Sequence, residues 1–459
     1  MDKKILNKLS SLVFYFSILL FIIAFNFAHN PPSGWYQQFL PNIGGRQISD
    51  VYFLDSLTGW AVTPYRQQQN DTAYVLKTTN GGDNWFISYS RTEQYVGFEK
   101  IYFLNNNTGF VCGANDFFSG YTGLSKSTDG GLNWISLNVP DPFAQFNDMS
   151  VLNEDTIWLA SNSTGGGVFR TTDGGTNWIR QYNGDNPDKI YMYNSRIGFI
   201  TRNFATPTLR KTTNGGFNWF SVLNEGFTDI HLIDSLTGWK CWGELDSIKK
   251  TTDGGTTWQK QLLPPTGALF GLSIIEKFSI LDSNTLWGVG ARGNTSSGFR
   301  GLIYKSTNGG EVWGYQLPDV KTINIGRYSN IDFVNQLNGW AYGTVSGVHT
   351  VKGGDTTIYI TRINQTGLEI PINFKLFQNY PNPFNPTTTI EFKVKSSKNI
   401  KLTIYDIRGS EISVLVNEIL NAGEYRYVFD AGSLSSGVYF YSLYADGKFV
   451  DTKKMVLVR

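Results

Sequence analysis

The chain has 459 residues, of which 41% are hydrophobic, 15% aromatic and only 17% charged, with 49 Gly, 13 Trp, 24 Tyr and 32 Phe. This balance excludes intrinsic disorder, which is poor in aromatics and rich in charge, and speaks against helical bundles and coiled coils, which draw on Ala, Glu, Lys and Leu. Gly with aromatics points to many short strands joined by tight turns. With 39 Lys and Arg against 37 Asp and Glu, the formal net charge is +2 and no basic stripe stands out, so no nucleic-acid partner is expected.

Lys3, Lys4 and Lys8 precede an apolar run from Leu12 to Ala28 that only Ser17 and Asn26 interrupt. Residues 1–30 are read as a secretory signal peptide. An uncleaved anchor is the alternative, since the run is near the lower length for a membrane span. No Cys stands at its end, so no lipid-bearing N-terminal Cys is expected. Removing the segment takes away three Lys and one Asp and leaves the rest electrically balanced.

A nine-residue box then recurs six times: KTTNGGDNW from Lys77, KSTDGGLNW from Lys126, RTTDGGTNW from Arg170, KTTNGGFNW from Lys211, KTTDGGTTW from Lys250 and KSTNGGEVW from Lys305. Upstream of each stands a second string, such as DVYFLDSLTGWAV from Asp50 or KIYFLNNNTGFVC from Lys100. A seventh copy, NIDFVNQLNGWAY from Asn330, has no complete box after it. Each unit is read as four strands: Val-Tyr-Phe, Gly-Trp-Ala-Val, a run into Lys-Thr-Thr, and a strand beginning at the box Trp. Asn/Asp-Gly-Gly is the turn between the last two, since these residues tolerate positive φ. Four strands every 40–45 residues make a propeller blade.

Eleven of the 13 Trp end a box or begin a second strand, as interblade packing residues would. Trp35 is one of the two others. Its string WYQQFLP matches the fourth-strand strings WISLNVP from Trp134 and WQKQLLP from Trp258. The N-terminal strand Trp35–Leu40 is therefore expected to complete blade seven and cover its edge. The string DTTIYITRINQTG from Asp355 is expected to supply the third strand of that blade.

Ser/Thr-x-Asp-x-Gly-x-x-Trp resembles the Asp-box of sialidase-like propellers; Ser127, Asp129, Gly131 and Trp134 match it in full. The paired Gly-Trp and Lys-Thr-Thr strings over residues 35–363 resemble the photosystem II assembly and stability factor family, which implies a seven-bladed propeller. The box carboxylate is expected to serve its own turn. Asn80, Asn214 and Asn308 occupy the same place, and an amide cannot do acid/base work.

Composition changes after Gly367. FKLFQNYPNPFNPTTTIEF from Phe374, LTIYDIRGSEI from Leu402 and a closing KKMVLVR suggest a small β-sandwich. Asn379, Tyr380, Pro381, Asn382, Pro383 and Phe384, with Tyr405, Asp406, Gly409, Gly437, Tyr439, Lys454 and Met455, resemble the type A C-terminal sorting domain of the type IX secretion system of Bacteroidota. That resemblance implies passage through the periplasm, then the outer membrane, and release or anchoring at the surface, with the secretion machinery as partner.

The expected architecture is all-β: a signal peptide at 1–30, a seven-bladed propeller at 31–363, a linker at 364–373 and a sorting sandwich at 374–459. Cys112 and Cys241 occupy equivalent places in blades far apart on a ring, so both are read as free buried thiols. No metal cluster, phosphate loop or nucleotide fingerprint appears, so no metal or cofactor is expected. The acidic and Arg residues of the variable loops, including Arg66, Asp71, Asp116, Asp141, Arg202, Glu244, Asp246 and Arg292, include no pair whose convergence the sequence reveals. The functional reading is a secreted or cell-surface binding or assembly module without enzymatic activity, with membrane association only through surface anchoring. The alternatives are an Asp-box glycoside hydrolase and a structural surface protein. A protein or glycan ligand is expected on the face of the variable loops, at Tyr65, Arg66, Phe117, Phe118, Phe143, Phe146, Phe270 and Arg292.

Overall fold

A computed structural model describes residues 34–458 except 67–70, 94–95, 115–122, 140–144, 243–246, 265–273, 295–297, 319–322, 359–363, 368–370, 432–433 and positions 164, 185, 204–205, 324 and 345. The signal segment at 1–30 lies outside the described residues. All regular structure among the described residues is β-strand, and seven of its nine sheets are four-stranded blades.

Blade one shows the pattern, with Asp50–Phe53, Gly59–Val62, Asp71–Thr78 and Phe86–Glu93 running antiparallel in that order. The strand period of two splits the innermost strand. Val51 and Phe53 enter the blade core, whereas Asp50 and Tyr52 meet the neighbouring inner strand, through Ile101 and Tyr102 respectively. The Gly-Trp strand beside it is buried throughout. Its Trp60 stacks on Phe103 of blade two at 3.6 Å. Trp287 stacks on Phe333 and Trp340 on Phe53 in the same way, the latter joining blade seven to blade one. A fully buried large apolar side chain contributes about 1.5–3 kcal/mol, so the recurrent Trp supplies much of the interblade cohesion.

The ring closes as Trp35 suggests. Tyr36–Phe39 pairs antiparallel with Ser346–Thr350, followed by Gly339–Tyr342 and Asn330–Phe333. Trp35 packs edge-on against Trp287 and Phe333 and donates its indole N–H to Gln316 at 2.6 Å. The third strand of this blade is Ser346–Thr350, not the segment from Asp355. The physical reason is a seventh, degenerate turn: Gly353 and Gly354 have positive φ like the paired glycines of every other box. Lys352 and Thr357 hold the places of Asp and Trp, so the turn escapes the pattern and Trp35 enters from the other end of the chain. Beyond it, Ile358 pairs with Tyr315 on the outer strand of blade six.

The last two sheets form the C-terminal sandwich. One is ordered Asn364–Gly367, Gly423–Asp430, Thr387–Val394, Lys375–Leu376; the other Glu411–Leu420, Lys398–Tyr405, Gly437–Ala445, Lys448–Leu457. Leu376, Ile390, Phe392, Leu402, Ile404, Tyr441 and Met455 share one core. Residues 364–367, expected in a linker, belong to this sheet through pairing with 424–426. Their Asn-Gln-Thr-Gly sequence has no apolar alternation, and only the partner strand reveals them.

Candidate functional site

The box turns and the first-to-second-strand turns share one face. In all seven blades the first box glycine donates its N–H to a carbonyl of that neighbouring turn, at 2.7–3.1 Å. The Ser or Thr of every box accepts the N–H of the second glycine at 2.7–3.0 Å. Asp173 accepts from the Asn177 N–H at 2.8 Å, and Asn80 accepts from the Asn84 N–H at 3.0 Å in the same way. The box carboxylates are thus acceptors within their own turns. At Asp129 desolvation pulls upward, yet hydrogen bonds from the Asn133 backbone and side chain and from Ser127 hold the carboxyl at about 2. A group so acidic stays ionised and makes a poor proton donor or acceptor near neutrality.

The box Lys has a use that sequence reasoning missed. Lys77 lies over the Trp60 ring at 5.3 Å, and both donate to the Gly130 carbonyl of the next blade at 2.9 Å. Lys250 and Trp239 do the same to Gly309 at 3.1 and 3.2 Å. At the closing seam His349 takes the Lys place, stacked on Trp340 at 4.6 Å. It faces the Tyr36 hydroxyl through Nδ1, and its Nε2 is buried without a partner among the described residues.

On the opposite, variable-loop face, the expected residues fare differently. Tyr65 and Arg66 are half-buried. The Tyr65 N–H donates to Glu99 at 3.1 Å and Arg66 to the Gly45 carbonyl at 2.7 Å. Their loop is pinned by Arg46, 1% exposed, which pairs with Asp71 and donates to the Pro64 carbonyl. Neither Arg46 nor Glu99 was singled out from the sequence, because each lies between the recurring strings. Arg292 falls in Leu286–Asn294, opposite Arg300, and its side chain lies outside the described residues. So do Phe117, Phe118, Phe143 and Phe270, and the loop acids Asp116, Asp141, Glu244 and Asp246. Phe146 does not belong to the face. It is fully buried in the core between blades two and three, edge-on to Phe169 at 6.1 Å, because an apolar ring entering an inner strand gains more from the core than from water.

The axis carries a charge pattern of its own. Equivalent inner-strand positions read Asp50, Lys100, Asp148, Lys189, Asp229, Lys277 and Asn330. Asp50, Asp148 and Asp229 accept the backbone N–H of Ile101, Ile190 and Phe278 in the following blades, at 3.2, 3.0 and 2.7 Å. Lysine cannot accept, and at two lysine seams the residue two positions on does so, Tyr191 from Leu232 and Ser279 from Phe333. The same position also accepts at the Asn330 seam, Asp332 from Phe53, and at the Asp148 seam, Ser150 from Met192. Lys277 spans blade seven, reaching Asn330 at 3.1 Å and Asp50 at 2.5 Å. Burial opposes ionisation of Asp50, but Lys100 and Lys277 outweigh it and lower its pKa. Asp332, desolvated, rises to about 6.

Among the described residues no group of three or more His, Cys, Asp and Glu could hold a metal. Cys112 and Cys241 are free and buried, and desolvation pushes both thiols up, away from reactivity.

Residues 378–458 match the family described as "Secretion system C-terminal sorting domain". The chain is exported by type IX secretion to the cell surface or beyond. Among solved structures, "YCF48 bound to D1 peptide" is similar at 19% identity and TM-score 0.51, covering 70% of this chain and 98% of that one. YCF48 from Cyanidioschyzon merolae is similar at 17% identity and TM-score 0.50, covering 69% and 99%. The resemblance to the photosystem II assembly and stability factor family is therefore borne out as a likeness of fold. The GH74 xyloglucanase from Xanthomonas campestris matches at 12% identity and TM-score 0.44, covering 89% and 72%, too loose a likeness to argue from. No curated protein matches the chain.

Proposed function

We propose that the propeller is a non-enzymatic binding module, shown on or released from the cell surface, that takes a peptide or protein segment on its variable-loop face. The observation that carries this reading is the engagement of the carboxylates of the boxes and the axis and of Asp71. Those of the boxes serve their own turns, those of the axis bind backbone N–H groups or lysines, and Asp71 holds Arg46. The peptide class of ligand is suggested by the likeness of fold to YCF48 bound to D1 peptide. Tyr65, Arg66 and Arg292, with Phe117, Phe118, Phe143 and Phe270, are the contact residues this reading assigns. Residues 1–30 direct the chain into the periplasm and are removed there.

Peptide-library capture on the purified full chain tests the ligand. Alanine at Arg66, Phe118 and Arg292 should abolish capture, while alanine at Asn80, Asp173 and Asp253 should spare it; the reverse pattern, or turnover of sialosides or xyloglucan, would overturn the reading. Deleting residues 368–459 should retain the chain inside the outer membrane, and surface display without them would refute the export route.

A further inference from the structure

Asn379, Asn382 and Phe384 of the sorting motif Asn379–Phe384 are used inside the fold. The Asn379 N–H donates to the Tyr441 hydroxyl at 2.7 Å, and its side chain donates to the Pro381 carbonyl and Thr388 hydroxyl at 3.1 and 2.9 Å. Asn382 clamps the last strand, accepting from the Val456 N–H at 2.9 Å and donating to the Lys454 carbonyl at 3.2 Å. Phe384 is buried in the sandwich core, and its N–H donates to the Val456 carbonyl at 2.9 Å. Substituting any of these would be felt as folding.

Tyr380, Pro381 and Pro383 are exposed, and Tyr380 is the aromatic among them. Its backbone is fixed by two hydrogen bonds with Thr389, both 3.0 Å, yet its side chain is 82% exposed. A lone exposed aromatic is commonplace; one whose backbone is held and whose neighbours Asn379, Asn382 and Phe384 are hydrogen-bonded into the fold is a preorganised anchor. Tyrosine is the residue type that dominates interface energetics, with an apolar ring and a polar tip, and a pre-fixed backbone lowers the ordering cost of docking.

We propose that Tyr380 is the side chain by which the type IX machinery grips this domain, its ring entering an apolar pocket on a machinery component and its phenol donating to an acceptor there. This rests on reading residues 378–458 as the export signal.

The test uses the full chain in its secreting cell. Tyr380→Ala should cut surface-exposed protein by roughly tenfold or more, the scale of a hot-spot aromatic, with folded chain accumulating in the periplasm. Ile419→Ala, at an equally exposed apolar side chain on the other sheet, should export normally. Should Tyr380→Ala fold poorly, a photoreactive benzoylphenylalanine at position 380 should still form an adduct with a machinery component, where the same probe at 419 should not. Normal export of Tyr380→Ala, or an adduct only from 419, overturns the proposal. Deletion of residues 374–459 separates the two levels: if deletion abolishes export and Tyr380→Ala does not, the sorting reading stands and the Tyr380 assignment falls.

Discussion

Acidification should loosen the propeller at its closing seam, through His349. Desolvation lowers its pKa from 6.5 to about 4; a proton on the imidazole would leave a buried charge with Nε2 unpartnered. The unfolded chain therefore binds the proton first, so this group's contribution is full above pH 6.5 and is lost as pH falls toward 4. The whole shift corresponds to roughly 3 kcal/mol, and about 2 kcal/mol is already lost at pH 5. Asp332 acts in the opposite sense. Its folded pKa is raised to about 6, so it destabilises at neutral pH and that penalty is relieved on acidification, masking part of the His349 effect in the wild type. The difference between wild type and His349→Gln isolates the imidazole. Tryptophan fluorescence reads the propeller alone, because residues 364–459 contain no Trp. For a ring of this size, 2 kcal/mol is about 3 °C in Tm. Between pH 7 and 5 the variant should thus gain about 3 °C relative to wild type. Parallel Tm–pH curves for the two proteins would refute the argument.

Trp35→Ala should destabilise the propeller by about 3–5 kcal/mol, the range for deleting a buried aromatic, read as a lower Trp-fluorescence Tm; an unchanged Tm would deny closure by the N-terminal strand. Asp253→Asn should cost less Tm than Asp253→Ala, since one amide oxygen can keep the bonds from Thr256, Thr257 and Thr251; equal losses would mean the charge itself matters. Lys277→Met should cost about 3 kcal/mol by leaving the buried Asp50 carboxylate short of its partner, and the further change Asp50→Asn should recover part of it in a double-mutant cycle.

Much of this was legible because the repeats are dense. The box and Gly-Trp strings fixed the blades, and one stray Trp disclosed the closure. What escaped did so for local reasons. The seventh box replaces Asp with Lys352 and Trp with Thr357, so it reads as loop although its glycines and Thr350 hydroxyl form the same turn. Phe146 lies next to a variable loop in sequence but two residues before an inner strand, and tertiary packing decides its side. Arg46 and Glu99 are single charges without a pattern, and their worth lies in pairing with Asp71 and Tyr65 across distant segments. The inner charges stand in plain alternation along the chain, yet only the ring shows that they meet.

That alternation has a parity problem, and its solution explains the seam. Six positions can alternate acid and base around a ring, but seven cannot. A seventh Asp would sit beside Asp50, and a seventh Lys beside Lys277. Like charges in a poorly solvated axis are costly, so the odd position requires a neutral group that still hydrogen-bonds. Asn330 meets this: its carbonyl accepts from Lys277 at 3.1 Å and its amide donates to the Ser329 hydroxyl at 3.3 Å. Lys277 can then pass over blade seven to Asp50, joining the sixth blade to the first. The same blade borrows its outer strand and its box Trp from the N-terminus. Blade seven is therefore the irregular blade at both its inner and its outer rim, because the ring's odd number and its closure are both resolved there, and it is where perturbation should open the propeller first.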